Sequence, residues 1–199
     1  MNLLRAITTV GGFTLMSRVL GFVRDMLIAA TLGAGLTADA FFVALKFPNL
    51  FRRLFAEGAF ATAFVPIFAG KLESEGRGPA VSFAAQAFSI LALCLTVFVI
   101  VVELAMPWVM QAFAPGFLDD PAKFDLTVLL ARITFPYLIF ISLTSLIAGV
   151  LNSIGRFAAA AATPILLNIC MIGAILLLVP YFETPAHALA WGVCGAGVV

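Results

Sequence analysis

Long apolar blocks dominate the chain, and short polar stretches punctuate them. Six blocks are each long enough to cross a hydrocarbon core of ~30 Å as a helix. The pattern predicts helices over residues 5–31, 38–69, 80–112, 125–151, 157–180 and 186–199, the last one truncated. TLGAGLTA, with two glycines, marks the first turn. KLESEGRGP (71–79) is the most polar segment and reads as a loop. APGFLDDPAKF, NSIGRF and YFETPAH mark the remaining connections. Pro48 lies inside the second block and is expected to kink it, because proline removes a backbone donor. WGVCGAGVV stops within an apolar run without a polar anchor, so the sequence reads as a fragment of a longer protein.

Composition turns six apolar blocks into an all-α polytopic membrane bundle. The chain has 199 residues, of which 63% are hydrophobic and 11% charged; soluble domains carry about 25% charged residues. Such a chain cannot cover a core with polar surface. The first block is read as a retained helix, because Arg18 and Arg24 interrupt the run a cleaved signal peptide would need. Basic residues set the orientation. Arg5, Lys71, Arg77 and Arg156 flank one side, whereas Lys123 stands on the other beside Asp119, Asp120, Asp125 and Glu183. The positive-inside rule then puts the N-terminus in the cytoplasm.

A net charge of +1 offers no nucleic-acid footprint. Cys94, Cys170 and Cys194 lie in apolar runs without a CxxC, and His187 stands alone. They read as helix fillers and a segment-end histidine, so no metal and no cofactor is expected. No nucleophile elbow, HExxH or phosphate-cradling glycine loop occurs, which argues against an enzyme. A membrane enzyme acting on a polyprenyl diphosphate would need carboxylates at useful spacing. Glu57 and the Asp119–Asp120 pair do not provide it.

The informative chemistry is charge at bilayer depth. Arg18, Arg24, Asp25, Asp39, Lys46, Arg52, Arg53 and Glu57 fall in the first two blocks. Each costs about 2.5–3.5 kcal/mol at mid-bilayer on insertion scales, so they must face protein or water. Arg18 and Asp25 are seven residues apart, as are Asp39, Lys46 and Arg53, while Lys46, Asn49, Arg53 and Glu57 draw one stripe along a helix. One reading pairs Arg18 with Asp25 and Arg53 with Glu57 simply to join helices. The other lines a hydrophilic cavity. Five cations against three anions leave a cationic surplus, mostly arginine, whose planar fork of donors suits phosphate oxygens. The second reading therefore expects a phosphate or diphosphate. The roles of Lys46, Glu103 and Arg132 stay open at this point.

MSRVLGFVRD (16–25), TADAFFVALKFPNLFRRLFAEGAFATAFVP (37–66) and AGVLNSIGRFAAAAATPILLNICMIG (148–173) resemble the MurJ (MviN) family of the MOP exporter superfamily. The resemblance implies the N-terminal six-helix lobe of a two-lobed transporter, with the C-terminal lobe missing. It implies a flippase in the bacterial inner membrane that moves lipid II, an undecaprenyl-diphosphate-linked disaccharide-peptide, to the periplasmic leaflet by alternating access. By the same resemblance Arg18, Arg24 and Arg52 engage the diphosphate, with Arg53 and Asn49 beside them. Asp39 gates the outer mouth through an ion pair, and Asp25 and Glu57 belong to the same class. The sodium site of some members lies in the missing lobe. The alternative is another MOP-type exporter, for an oligosaccharide-lipid or a drug. A drug-cation pump would want an acidic cavity, and this one is basic.

Overall fold

The computed structural model describes the backbone of residues 3–198 and the side chains of 8–55 and 62–198. The described chain is helical, with no strand among the described residues. In order come α1 (Leu3–Leu32), α2 (Leu36–Arg52), a π-helical segment (Arg53–Gly58), α3 (Ala59–Ser74), α4 (Arg77–Leu104), α5 (Met106–Phe113), α6 (Pro121–Thr134), α7 (Tyr137–Ser153), α8 (Phe157–Gly173) and α9 (Pro185–Val198). A second π-helical segment (Ala174–Leu178) and a 3₁₀ turn (Val179–Tyr181) extend α8. Grouped by their turns, these elements make six rods. Among the described residues three continuous stretches, Arg77–Leu104, Pro121–Ser153 and Phe157–Tyr181, are long and apolar enough to cross a membrane. Of the other rods, α1 carries Arg18, Arg24 and Asp25, α2 carries Asp39, Lys46 and Arg52, and α9 is 14 residues long.

The polar stretch 71–79 proves largely helical rather than a loop. Lys71 pairs with Glu75 at 2.9 Å, one turn on, and the Ser74 hydroxyl donates to Gly70 O at 2.8 Å. Local side-chain bonds therefore carry the helix through the charges. The reversal is made at Gly76, whose φ of 86° is open to glycine at no steric cost. The rod expected over 125–151 starts earlier, at Pro121. Asp120 caps it by accepting from the Lys123 N–H at 3.2 Å, and proline suits the first helical position. That rod is also broken. Pro136 has no N–H to give, and the chain tightens through Leu138 N→Phe135 O (2.9 Å) and Ile139 N→Pro136 O (3.1 Å). The rod expected over 80–112 likewise splits at Ala105, just before Pro107.

Rod two tolerates Pro48 through a neighbour. A proline leaves the carbonyl four residues earlier, here Ala44, without its helical partner. The Thr134 hydroxyl, fully buried at the end of α6, donates to Ala44 O at 3.0 Å. This is how membrane helices keep prolines: a neighbouring helix satisfies the freed backbone group. Thr134→Val keeps the shape and removes the donor. The expected loss is about 1 kcal/mol, between membrane interhelical bonds (~0.6) and a buried orphan in water-soluble proteins (~1–3). Amide hydrogen exchange in α2 should then quicken about fivefold. Unchanged exchange would show that the bond contributes nothing.

Packing is organised around α7 and α9. The α1 helix lies along α8, α2 along α6, and α4 against α7 and α3, while α9 touches α6, α7 and α8. The core includes Phe41, Phe47, Phe135, Leu130, Leu138 and Leu189, each at most 2% exposed. On the outside, Leu93, Val97, Ile100, Val101 and Leu104 of α4 stand exposed, as suits a lipid-facing surface. Lipid tails are as apolar as these side chains, so close packing and interhelical hydrogen bonds hold the bundle rather than expulsion of water.

Candidate functional site

Along rod two the apolar and polar positions separate by helical spacing. Phe47, Phe51 and Phe55 recur every fourth residue and join Phe98 and Phe135 in one aromatic cluster. Ring centroids stand 4.9 Å apart for Phe47–Phe135, 5.2 Å for Phe51–Phe98 and 5.4 Å for Phe55–Phe98. The rings anchor one side of the helix. The other side presents Lys46, Asn49, Arg52 and Arg53, which line a groove of about 410 Å³. Asn49 Nδ2 donates to Leu45 O at 2.9 Å, and its Oδ1 accepts from Arg52 Nε at 3.3 Å. The amide is thereby fixed on its own helix and steers the Arg52 guanidinium. At Arg53 the helix widens into its π-helical turn. A wider turn shifts the register of everything after it, so the stripe from Lys46 to Glu57 does not continue at ordinary α spacing. The side chain of Glu57, and with it the expected Arg53–Glu57 pair, lies outside the described residues.

Rod one contributes differently. Arg18 is exposed and lines a depression of about 500 Å³ with Thr14, Ser17, Asn152 and Pro164. Asp25 pairs with its neighbour Arg24, at 2.8 Å, and not with Arg18 as its seven-residue spacing suggested. The reason is reach: the Arg24 side chain can fold back along α1 so that both Nε and Nη2 meet Asp25 Oδ1. With Asp25 65% exposed, this pair is worth little by itself. The stronger tie is Asn168 of α8, 4% exposed. Its Oδ1 accepts from Arg24 Nη1 at 2.8 Å, and its Nδ2 donates to Ser17 O at 2.9 Å. One buried amide thus grips two turns of α1 and holds Arg24 between them. Asn168→Leu, which keeps the branching at Cγ though it is larger, is expected to remove both bonds and to cost about 1–3 kcal/mol. The Tm of the purified protein should fall by several degrees, and an unchanged Tm would remove Asn168 from this role.

Asp39, near the start of α2, meets Lys123 of α6 in an ion pair, and Lys123 also stands 4.1 Å over the Phe117 ring. Lys123 had looked like a loop residue, and its role as the partner of Asp39 required the fold. Glu103, near the end of α4, keeps its buried Oε1 without a hydrogen-bond partner among the described residues.

A second cavity, about 320 Å³, lies between α2, α7, α8 and α9. Asn49 and Arg52 line both it and the cationic groove, so the two spaces meet at these side chains. Its polar wall includes Tyr137, Thr144 and Thr163. The structure thus gathers Asn49, Arg52 and Arg53 with Lys46. It sets Arg24 and Asp25 on α1 against α8, places Arg18 in its own depression and carries Asp39 to Lys123. Among the described residues no cluster of metal-ligating side chains forms. The reading from sequence overlooked Asn168, Tyr137, Thr144 and Thr163. A lone asparagine within TPILLNICMIG was the available signal, because an amide at bilayer depth needs a partner.

The family model described as lipid II flippase MurJ matches residues 28–199. A protein of Rhizobium tropici named "Probable lipid II flippase MurJ" is 50% identical over the whole chain, and the chain covers 38% of its length. The "Lipid II flippase MurJ" of Burkholderia cenocepacia is 45% identical, again over the whole chain and 39% of its own length. A solved structure titled "Lipid II flippase MurJ, inward closed conformation" superposes with a TM-score of 0.76 at 27% identity, over 95% of this chain and 39% of that one. The chain therefore spans about two-fifths of the length of the relatives it matches. A family match over most of its residues, joined to an arginine-lined bundle with apolar helices, makes this chain a membrane protein of the lipid II flippase MurJ family.

Proposed function

We propose that this chain forms the N-terminal lobe of a lipid II flippase of the bacterial inner membrane, with its N-terminus in the cytoplasm. The whole protein carries lipid II from the cytoplasmic to the periplasmic leaflet by alternating access, and it makes or breaks no covalent bond. The observation that carries this reading is the groove in which Lys46, Arg52 and Arg53 stand together with Asn49. Three cations around one opening at bilayer depth are stabilised by an anion, and guanidinium forks match diphosphate oxygens in pairs. Arg18 and Arg24 extend the positive surface along rod one. Arg24, held by Asn168 and Asp25, is pre-oriented. Asp39 with Lys123, and Asp25 with Arg24, are ion pairs that respond as the lobes move; Glu57 joins them on resemblance. The remaining length of the full protein supplies the second lobe. The undecaprenyl chain, apolar throughout, stays in the bilayer during the passage.

The test is made in cells whose own flippase is depleted and which express the full-length protein. Lipid II exposed on the periplasmic face, measured by its accessibility to an externally added enzyme, is expected to recover to the undepleted level. If lipid II stays inside while another lipid-linked glycan moves, the protein belongs to a different exporter class.

A further inference from the structure

Ser142 of α7 is 1% exposed, and its hydroxyl has no hydrogen-bond partner among the described residues. Other serines of the same helix show what is ordinary: Ser145 and Ser153 each donate one turn back, to Ile141 O and Gly149 O, at 2.9 Å. A buried hydroxyl left without a partner is unfavourable, more so where lipid excludes water. Two contacts locate Ser142 against rod two. Thr134 Oγ1 meets Ala44 O at 3.0 Å, and a Cβ at Gly149 would stand 3.1 Å from Val65 Cγ2. Ser142 lies between Thr134 and Gly149 in the chain and, seven residues before Gly149, shares its face. It is therefore level with the stretch of rod two between Ala44 and Val65, where the π-helical segment Arg53–Gly58 packs against α7.

The helical ladder is weakest along that stretch. Pro48 and Pro66, on either side, have no N–H to give, and Gly58 loosens the backbone. A π-helical turn holds a residue more than an α-helical one. Passing that surplus along the helix exchanges one hydrogen bond at a time and leaves a carbonyl at its edge without a donor. We infer that Arg53–Gly58 is a movable joint of rod two: in the other state of the cycle the wide turn shifts inward, and the Ser142 hydroxyl donates to the backbone carbonyl that the shift releases. The residue spacing supplies that second register. With the wide turn moved past it, Glu57 falls one ordinary turn beyond Arg53 and completes the stripe of Lys46, Asn49, Arg53 and Glu57, which brings a carboxylate position beside a guanidinium of the groove. The joint rests on the alternating access proposed above and adds to it the element of this lobe that moves.

The experiment uses the purified full-length protein. Ser142→Ala removes the hydroxyl and nothing else. It relieves an orphan in the state described and takes away a bond in the other register, so it should shift the balance toward the state described by about fivefold, the equivalent of ~1 kcal/mol. Amide hydrogen exchange over Arg53–Gly58 is expected to slow by that factor and exchange in α4 to stay unchanged. The Tm should hold or rise, while lipid II exposure in flippase-depleted cells falls. Unchanged exchange over Arg53–Gly58, a lowered Tm, or lipid II exposure equal to that of the unmodified protein overturns the joint, because the hydroxyl would then be idle or would stabilise the state described. If the unmodified protein leaves lipid II inside, the transport reading falls, and the exchange measurement still decides the joint.

Discussion

Arg52→Ala in the full-length protein is expected to abolish growth of cells depleted of their own flippase, although the protein still inserts in the membrane. Arg52 lines both the cationic groove and the adjoining cavity, and Asn49 Oδ1 holds its Nε at 3.3 Å. A charge-assisted bond contributes ~1.5–3 kcal/mol, so on the function proposed above, in which this fork grips the diphosphate, its loss should lower retention of the headgroup by ~10–150-fold. Arg52→Lys keeps the charge and loses the planar pair of donors, so it should retain an intermediate level of activity. At Arg24 a second effect enters. Removing Arg24 also strips Asn168 of one partner and so mixes substrate contact with the seating of α1 on α8. Normal growth on Arg52→Ala, at normal protein level, would remove the guanidinium from the transport cycle.

Gly192→Leu should have the largest effect on folding. A Cβ added at Gly192 would lie 2.5 Å from the Cβ of Ala174 and 3.6 Å from Met171 Sδ. The obstacle at Ala174 is the first side-chain carbon of a π-helical segment, so it cannot swing aside, and the two backbones must separate. Overpacking of this kind costs about 1–3 kcal/mol even when neighbours yield, in a protein whose whole stability is ~5–15 kcal/mol. Leucine adds three more carbons to the clash. The fraction of protein recovered as a monodisperse species in detergent is expected to fall to a small part of the unmodified yield. Gly195→Ala, with nothing within 4 Å of the added carbon, serves as the control and should behave as the unmodified protein. Equal recovery of Gly192→Leu and Gly195→Ala would show that α9 does not rely on this close approach.

The two effects are connected through α9. Ala196 and Gly197, one turn beyond Gly192, line the same cavity that Arg52 faces. A Cβ at Gly197 would lie 2.9 Å from the Cβ of Phe140. Small residues here bring α9 close to α7 and α8, and that closeness forms the cavity wall. In a membrane, where packing replaces the hydrophobic effect as the organising force, such residues shape a site as directly as the polar ones.

Much of this architecture was legible along the chain. Runs of apolar residues report helices that must satisfy their own backbone within lipid, and no alternative local structure competes. Charge at bilayer depth is costly enough to be noticed wherever it occurs, which singled out Arg18 through Glu57 before any contact was known. Even the opposition of Phe47, Phe51 and Phe55 to Lys46, Asn49 and Arg53 follows from helical spacing. Partnership was a different matter. Helical periodicity offered Arg18 to Asp25, yet Arg24 took it, because a side chain's reach and the position of Asn168, 144 residues away from Arg24, decided between them. Lys123 for Asp39, Thr134 for the carbonyl that Pro48 releases, and the meeting of Tyr137, Thr144 and Arg52 around one cavity all join residues far apart in the chain. Local periodicity fixes which face of a helix is polar. Only the packing of six rods against one another selects the group that face meets, since that choice depends on distances between helices which no single segment encodes.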